Sequence, residues 1–240
     1  MGYAIMRFSK IKNVNTGNGI LRHIRREIAI PTLTHPENKN VKIKLSNSDV
    51  DYSTCTFTQI LDNKLNSKKP RANSVLGLEF IFAFTPGCVE AENIRDWATA
   101  SLQWLSEKFS SDNIVCSVLH NDEKSPHIHA VVIPMFDGKL NCKHYINGPA
   151  SCREMQDTYY QAVKAFGDLE RGINSKVTKR IHESNKRWMA RNAENERRLT
   201  AYQKTFGKED EWDFDTLIQF NRNKTEEMTA VNFRLSDRAI

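Results

Sequence analysis

Ten consecutive positions, His120-Asn121-Asp122-Glu123-Lys124-Ser125-Pro126-His127-Ile128-His129, constrain this chain more than any others. Ile114, Cys116, Val118 and His120 share one alternation before the turn, and His127, His129, Val131 and Ile133 share another after it. A period of two marks strands. Two strands joined through residues 121–126 make a hairpin that sets His120 near His127 and puts His129 on the same face as His127. Three neutral imidazoles on one sheet face form a divalent-metal site with positions left open, which is the catalytic rather than the structural arrangement. Asp122 or Glu123, in the turn, is placed to orient a ligand or accept a proton. A single strand histidine is more often a packed or solvent-facing residue, and His-x-His alone is weak. Adding His120, Glu123 and Pro126 favours the metal. Helical metalloproteases need His-Glu-x-x-His on a helix, so that class is disfavoured here.

The surroundings of the hairpin read as follows. Residues 1–8 alternate as a first strand, and residues 13–19 are a run of turn formers. Ile20, Leu21, Ile24 and Ile28 then mark a helix that carries Arg22, His23, Arg25 and Arg26 on its other faces, with His23 and Arg26 neighbours three apart. Without further context this is a solvated basic helix face. Residues 31–48 read as a polar surface loop, and residues 52–65 as a weakly amphipathic helix ending in the basic knot Lys68-Lys69-Pro70-Arg71. Residues 75–84 are the most strand-like run and should be central. Ile94, Trp97, Ala98, Leu102, Leu105 and Phe109 mark a covering helix. An Asp137-Gly138 turn leads out of the hairpin, and a further helix spans about 151–166, closed by Gly167.

This order predicts an α+β fold, an antiparallel sheet covered by helices on one face, with the histidines on the open face. Such a face suits an extended single strand of nucleic acid. Residues 1–175 would form this domain. Residues 176–240, where Lys179, Arg180, Lys186 and Arg187 dominate, would be a basic helical extension that either lies on nucleic acid or is solvated. Composition agrees: 39% hydrophobic content supports a substantial core, and 35 basic against 29 acidic residues give +6, so an anionic partner is expected. Five cysteines without paired spacing point to reduced thiols in a cytoplasm. No window approaches the roughly 20 apolar residues of a membrane span.

His120-x-Asp122-Glu123-x-x-Pro126-His127-x-His129 resembles the third motif of the Mob/Pre (MobV) plasmid mobilisation relaxases, a class of HUH endonucleases. Gly19-Ile20-Leu21-Arg22-His23-Ile24-Arg25-Arg26 is similar to their His-x-x-Arg motif, although Ile24 stands where members usually carry Asn. Asp137-Gly138-Lys139-Leu140 and Leu169-Glu170-Arg171-Gly172 resemble their downstream segment. The resemblance covers about residues 1–175. It implies a bacterial cytoplasmic nickase that cuts one strand at a plasmid transfer origin, binds the hairpin and nick site of that origin, and stays attached to the 5′ phosphate. It further implies His23 as nucleophile, His120, His127 and His129 around Mn²⁺ or Mg²⁺ (Zn²⁺ also fits nitrogen ligands), Glu123 assisting, and Arg26 near the scissile phosphate. Arg22, Arg25, Lys68, Lys69, Arg71 and the basic extension would contact DNA, and coupling or accessory mobilisation proteins would be partners. The rival within the enzyme class is Tyr159-Tyr160, since a tyrosine after the histidine hairpin is the order of rolling-circle initiators and some transposases. A non-catalytic origin-binding protein is the remaining alternative, and it leaves three converging histidines unexplained.

Overall fold

The strand alternations on both sides of the histidine turn become two adjacent inner strands of a six-stranded sheet. The computed structural model describes residues 2–30, 33, 35, 37–43, 51–123 and 125–173, with positions 190, 193, 194, 197, 200, 201 and 204 beyond them. Two units divide the chain, Met1–Ile173 and Asn174–Ile240. The first contains β1 (Gly2–Ile11), α1 (Val14–Ile24), β2 (Val41–Lys42), α2 (Phe57–Lys64), β3 (Gly77–Phe84), α3 (Ile94–Phe109), β4 (Ile114–His120), β5 (His127–Val132), β6 (Met135–Phe136), β7 (Lys139–Leu140), α4 (Cys142–Tyr145), α5 (Gly148–Val163) and β8 (Leu169–Arg171). The sheet order is β2-β4-β5-β3-β1-β8, and β6 and β7 form a separate ribbon. Among the described residues no helix is long and apolar enough to cross a membrane.

Alternation assigns the two faces. Leu78, Phe80, Phe82 and Phe84 of β3 and Ile128, Ala130 and Val132 of β5 bury against Trp97, Leu102 and Leu105 of α3 and Met155, Tyr159 and Val163 of α5. The opposite face carries Ile11, Val118, Val131 and Ile133, packed against Leu21 and Ile24 of α1 and Phe57, Ile60 and Leu61 of α2. The histidines of β4 and β5 belong to this second face by the same period of two.

The α+β architecture is as expected, with β3 central between β5 and β1, but several details differ from the sequence reading. The sheet is mixed, because β8 runs parallel to β1. Helices lie on both faces, so the histidine face is bare only where α1 and α2 do not reach. A bulge between Ile114 and Cys116 turns Ile114 toward the α3 side, where it packs with the first core. Finally, α1 begins within the supposed turn run. Asn13 caps it by accepting from the Thr16 amide at 2.8 Å, as Asn does well at that position. The helix's poor intrinsic propensity is offset by contacts with α2. The Asn18 side chain accepts from the Phe57 amide at 2.8 Å, and a Cβ on Gly17 would stand 2.4 Å from the Phe57 ring. Gly17 is there because α1 and α2 must approach closely. Ile28 lies beyond the helix and is exposed, and the expected loop of residues 31–48 contributes β2, paired to the edge of β4.

Candidate metal centre and nucleophile

His120 and His127 are direct cross-strand partners, and His129 pairs with Val118. The three ring centroids form a nearly equilateral triangle, 5.2 Å between His120 and His127, 5.0 Å between His120 and His129, and 5.0 Å between His127 and His129. His23 arrives from α1. Burial of Leu21 and Ile24 fixes the rotation of that helix, leaving the half-buried His23 ring 5.1 Å from His129 and 6.0 Å from His120.

Hydrogen bonds settle which nitrogens are available. His120 Nε2 lies 2.9 Å from the Ile24 carbonyl oxygen, His127 Nδ1 2.9 Å from the Ser125 carbonyl oxygen, and His129 Nδ1 3.1 Å from Glu79 Oε1. Carbonyl and carboxylate oxygens accept, so each of these nitrogens donates and the opposite nitrogen carries the lone pair. His120 Nδ1 is buried without a hydrogen-bond partner. Buried polar atoms are rarely left unsatisfied, and imidazoles held through the far nitrogen by an acceptor are the usual support of metal-binding histidines. The donor set therefore fits a divalent ion. Burial pushes His120 down to about 3 and lowers His127 as well, so both are neutral and ligand-competent at pH 7.

Ligand atoms within 4.8 Å of one another form two sets among the described residues: His23, His120 and His129, and His120, Glu123 and His127. His120 is common to both. The triad expected from sequence is thus split between them, and His23 and Glu123 join it.

Arg26 ends α1 in the left-handed region, φ 60°, a conformation non-glycine residues adopt only with support. Support comes from the histidine turn. The Arg26 guanidinium donates from Nε to Asp122 Oδ2 at 2.8 Å and from Nη2 to Asp122 Oδ1 at 2.5 Å and Glu123 Oε1 at 2.7 Å. Asn40 adds a bond to Asp122 Oδ2 at 2.6 Å and accepts from the Asn121 amide at 2.9 Å. Burial pushes the Asp122 carboxyl up, but the bonds from Arg26 and Asn40 outweigh it and hold it at about 2. Arg26 thereby ties α1, which carries His23, to the turn that carries Glu123. Only its Nη1, buried and unpartnered, remains for another acceptor.

The other expected site residues are placed differently. Arg25 turns inward, donating from Nη2 to the Tyr52 and Cys55 carbonyls at 2.8 Å each, so it joins α1 to the segment before α2. Arg22, Lys68, Lys69 and Arg71 are exposed. Lys179, Arg180, Lys186 and Arg187 lie outside the described residues. Tyr159 is fully buried on the α3 side of the sheet, against Phe82 and Trp104 with its hydroxyl 3.1 Å from Ser101 Oγ. Burial raises its pKa strongly. Tyr160 packs against the same core. The sheet separates both tyrosines from the histidines.

Three contributors were missed in the sequence. Glu79 supports His129 and accepts from Ser9 at 3.3 Å; its signal was a single carboxylate inside an otherwise apolar central strand. Asn40 sat in a stretch read as loop. Arg7, between Met6 and Phe8 of the first core, points to the histidine face by alternation and pairs with Ile81, which pairs with His129.

An open mixed sheet with helices on both sides, presenting clustered histidines beside a helix-borne histidine, has the architecture of a relaxase domain. It matches the solved MobM relaxase domain bound to plasmid pMV158 oriT DNA in its Mn-bound form with a TM-score of 0.67 at 20% identity, covering 78% of this chain and 98% of that one. The chain belongs to the Mob_Pre family, described as plasmid recombination enzyme, whose profile matches residues 1–190. Among its curated relatives, plasmid recombination enzyme type 3 of Mammaliicoccus lentus is 27% identical over 196 residues, 76% of this chain and 46% of the relative. Type 1 of Staphylococcus aureus is 24% identical over 192 residues, 77% of this chain and 48% of the relative. A 65 kDa protein of Zymomonas mobilis is 29% identical over 183 residues, 73% and 31%. The chain spans about half the length, or less, of these curated relatives.

Proposed function

We propose that this domain is a divalent-metal-dependent nickase that cuts single-stranded DNA at a plasmid transfer origin and becomes joined to the new 5′ phosphate through His23. One observation carries the reading: His120, which keeps a buried nitrogen without a partner, is common to two ligand sets, and His120, His127 and His129 are each held through one ring nitrogen by an oxygen acceptor. The family supports the substrate, since its members are named for plasmid recombination and the MobM neighbour is bound to origin DNA with Mn.

When bound, Mn²⁺ or Mg²⁺ at His120, His127 and His129 supplies positive charge to a non-bridging oxygen of the scissile phosphate. The chain's own residues do the rest. His23 is neutral near pH 7 because burial, then His129 and Arg26, lower its pKa, and a neutral imidazole nitrogen is a nucleophile. Its lone pair forms the N–P bond as the P–O3′ bond breaks; the ring's other nitrogen gives up its proton and the departing 3′ oxygen takes one up. Glu123, held by Arg26, is the acceptor beside this exchange. Arg26 positions Glu123 and α1 and offers Nη1 to the phosphate. Arg7 and the uncovered strip of β3 and β1 receive the strand, with Arg22, Lys68, Lys69 and Arg71 as outlying backbone contacts.

The test is incubation with single-stranded origin DNA and Mn²⁺, with and without EDTA. Metal-dependent cleavage that leaves protein on the 5′ end supports the proposal. Binding without cleavage would favour an origin-binding module, and cleavage releasing a free 5′ phosphate would favour a hydrolytic nuclease.

A further inference from the structure

Resting on the metal reading of this site, we infer that His23 is itself a metal ligand in the DNA-free protein, so that the nucleophile is masked until a phosphate takes its place. The observation is the split of the ligand atoms. His23, His120 and His129 form one set within 4.8 Å, and His120, Glu123 and His127 form the other. Ions held by imidazoles at about 2.1 Å have ligand atoms roughly 3–4 Å apart, so either set closes on an ion with side-chain adjustments of an ångström or less. The first set contains three nitrogens, and the second contains two and a carboxylate. Nitrogen-rich sets are preferred by the later divalent transition metals.

The surroundings favour a mobile His23 on a fixed base. His120, His127 and His129 are each tied through their far nitrogen to Ile24, Ser125 and Glu79. His23 sits in the last turn of α1, half-buried, its ring edge-on to both His120 and His129. A lone pair spent on a metal cannot attack phosphorus. Entry of a phosphate oxygen into the position His23 holds frees that lone pair beside the phosphorus, which couples exposure of the nucleophile to arrival of the substrate. It also shields a reactive imidazole from other electrophiles while no DNA is bound.

Co²⁺ is the probe, because its visible spectrum and X-ray absorption report ligand number and type. Titration of the metal-free chain compares the wild type with His23→Ala, His120→Ala and Glu79→Gln. The account expects His23→Ala to weaken Co²⁺ by at least the roughly 10–100-fold that loss of a supporting contact causes, to change the visible band, and to lower the imidazole count by one in X-ray absorption. A His23→Ala protein that melts like wild type without metal, yet keeps wild-type Co²⁺ affinity and imidazole count, overturns this inference alone. Failure of the wild type to bind Co²⁺ at all overturns the metal reading with it. Should His23→Ala unfold, His23→Gln in the same measurement gives the answer, since it removes the imidazole and keeps the bulk.

Discussion

Replacing Asp122 with Asn tests whether the histidine turn and the helix that carries His23 are joined as described. The Arg26 and Asp122 side chains are 17% and 6% exposed, and their two-point pairing is the geometry that gives strong charge-assisted bonds. Removing one partner of such a buried pair costs about 3–5 kcal/mol. Glu123 remains to share the arginine, so the loss should fall toward the lower end. An independent route gives a similar figure: a carboxyl held at about 2 against an ordinary 3.8 contributes roughly 2.5 kcal/mol at neutral pH. The sign follows from the depressed folded value. The stabilisation is complete above about pH 4 and is lost as pH falls from there toward 2. His120, neutral when folded, also loses stability below about 6.5, but equally in both proteins. Urea unfolding of the metal-free chain at pH 7 should therefore show Asp122→Asn less stable by about 2–3 kcal/mol, or roughly 5–10 °C in Tm for a domain of this size. The difference should shrink below pH 4. A loss under about 0.5 kcal/mol, or one that is unchanged at pH 3, would refute the latch.

Tyr159→Phe should leave nicking at the wild-type rate and cost only about 1 kcal/mol for the lost Ser101 bond; a large drop in cleavage with normal stability would reinstate a tyrosine in the chemistry. Gly17→Ala should destabilise by about 1–3 kcal/mol, because the added methyl meets the Phe57 ring at 2.4 Å; a neutral or stabilising result in thermal melts would contradict the packing of α1 on α2. Cleavage should be level from pH 8 to about 6.5 and fall below that, since the unprotonated imidazole attacks and His23 is lowered from 6.5. A rate profile with its acid midpoint above 6.5 would be incompatible with that environment.

The hairpin was legible because period-two alternation and a short turn fix register, so His120 opposite His127 follows from residue order alone. The helix of residues 94–109 was equally plain from its apolar stripe, and α3 has those bounds. What sequence hid was set by distant contacts. Residues 13–19 look like a turn by local propensity, yet Asn13 caps α1 and Gly17 and Asn18 meet α2, a contact that no local window contains. Glu79 and Asn40 lie 50 and 82 positions from the groups they serve. By its charge alone Arg26 read as part of a solvated helix face, and only the family resemblance placed it near a phosphate; folding commits most of its donors to Asp122 and Glu123, partners that no local window contains. That His23 lies beside the histidines and Tyr159 in the opposite core follows from which side of the sheet each helix covers, which residue order does not give.

The most direct test of the central claim is to trap the protein on a single-stranded oligonucleotide carrying the cognate nick site with Mn²⁺ and map the modified residue by mass spectrometry. The account predicts an acid-labile phosphoramidate on His23, absent with EDTA and in His23→Ala. An acid-stable adduct on any tyrosine, or metal-dependent cleavage that persists in His23→Ala, would contradict it.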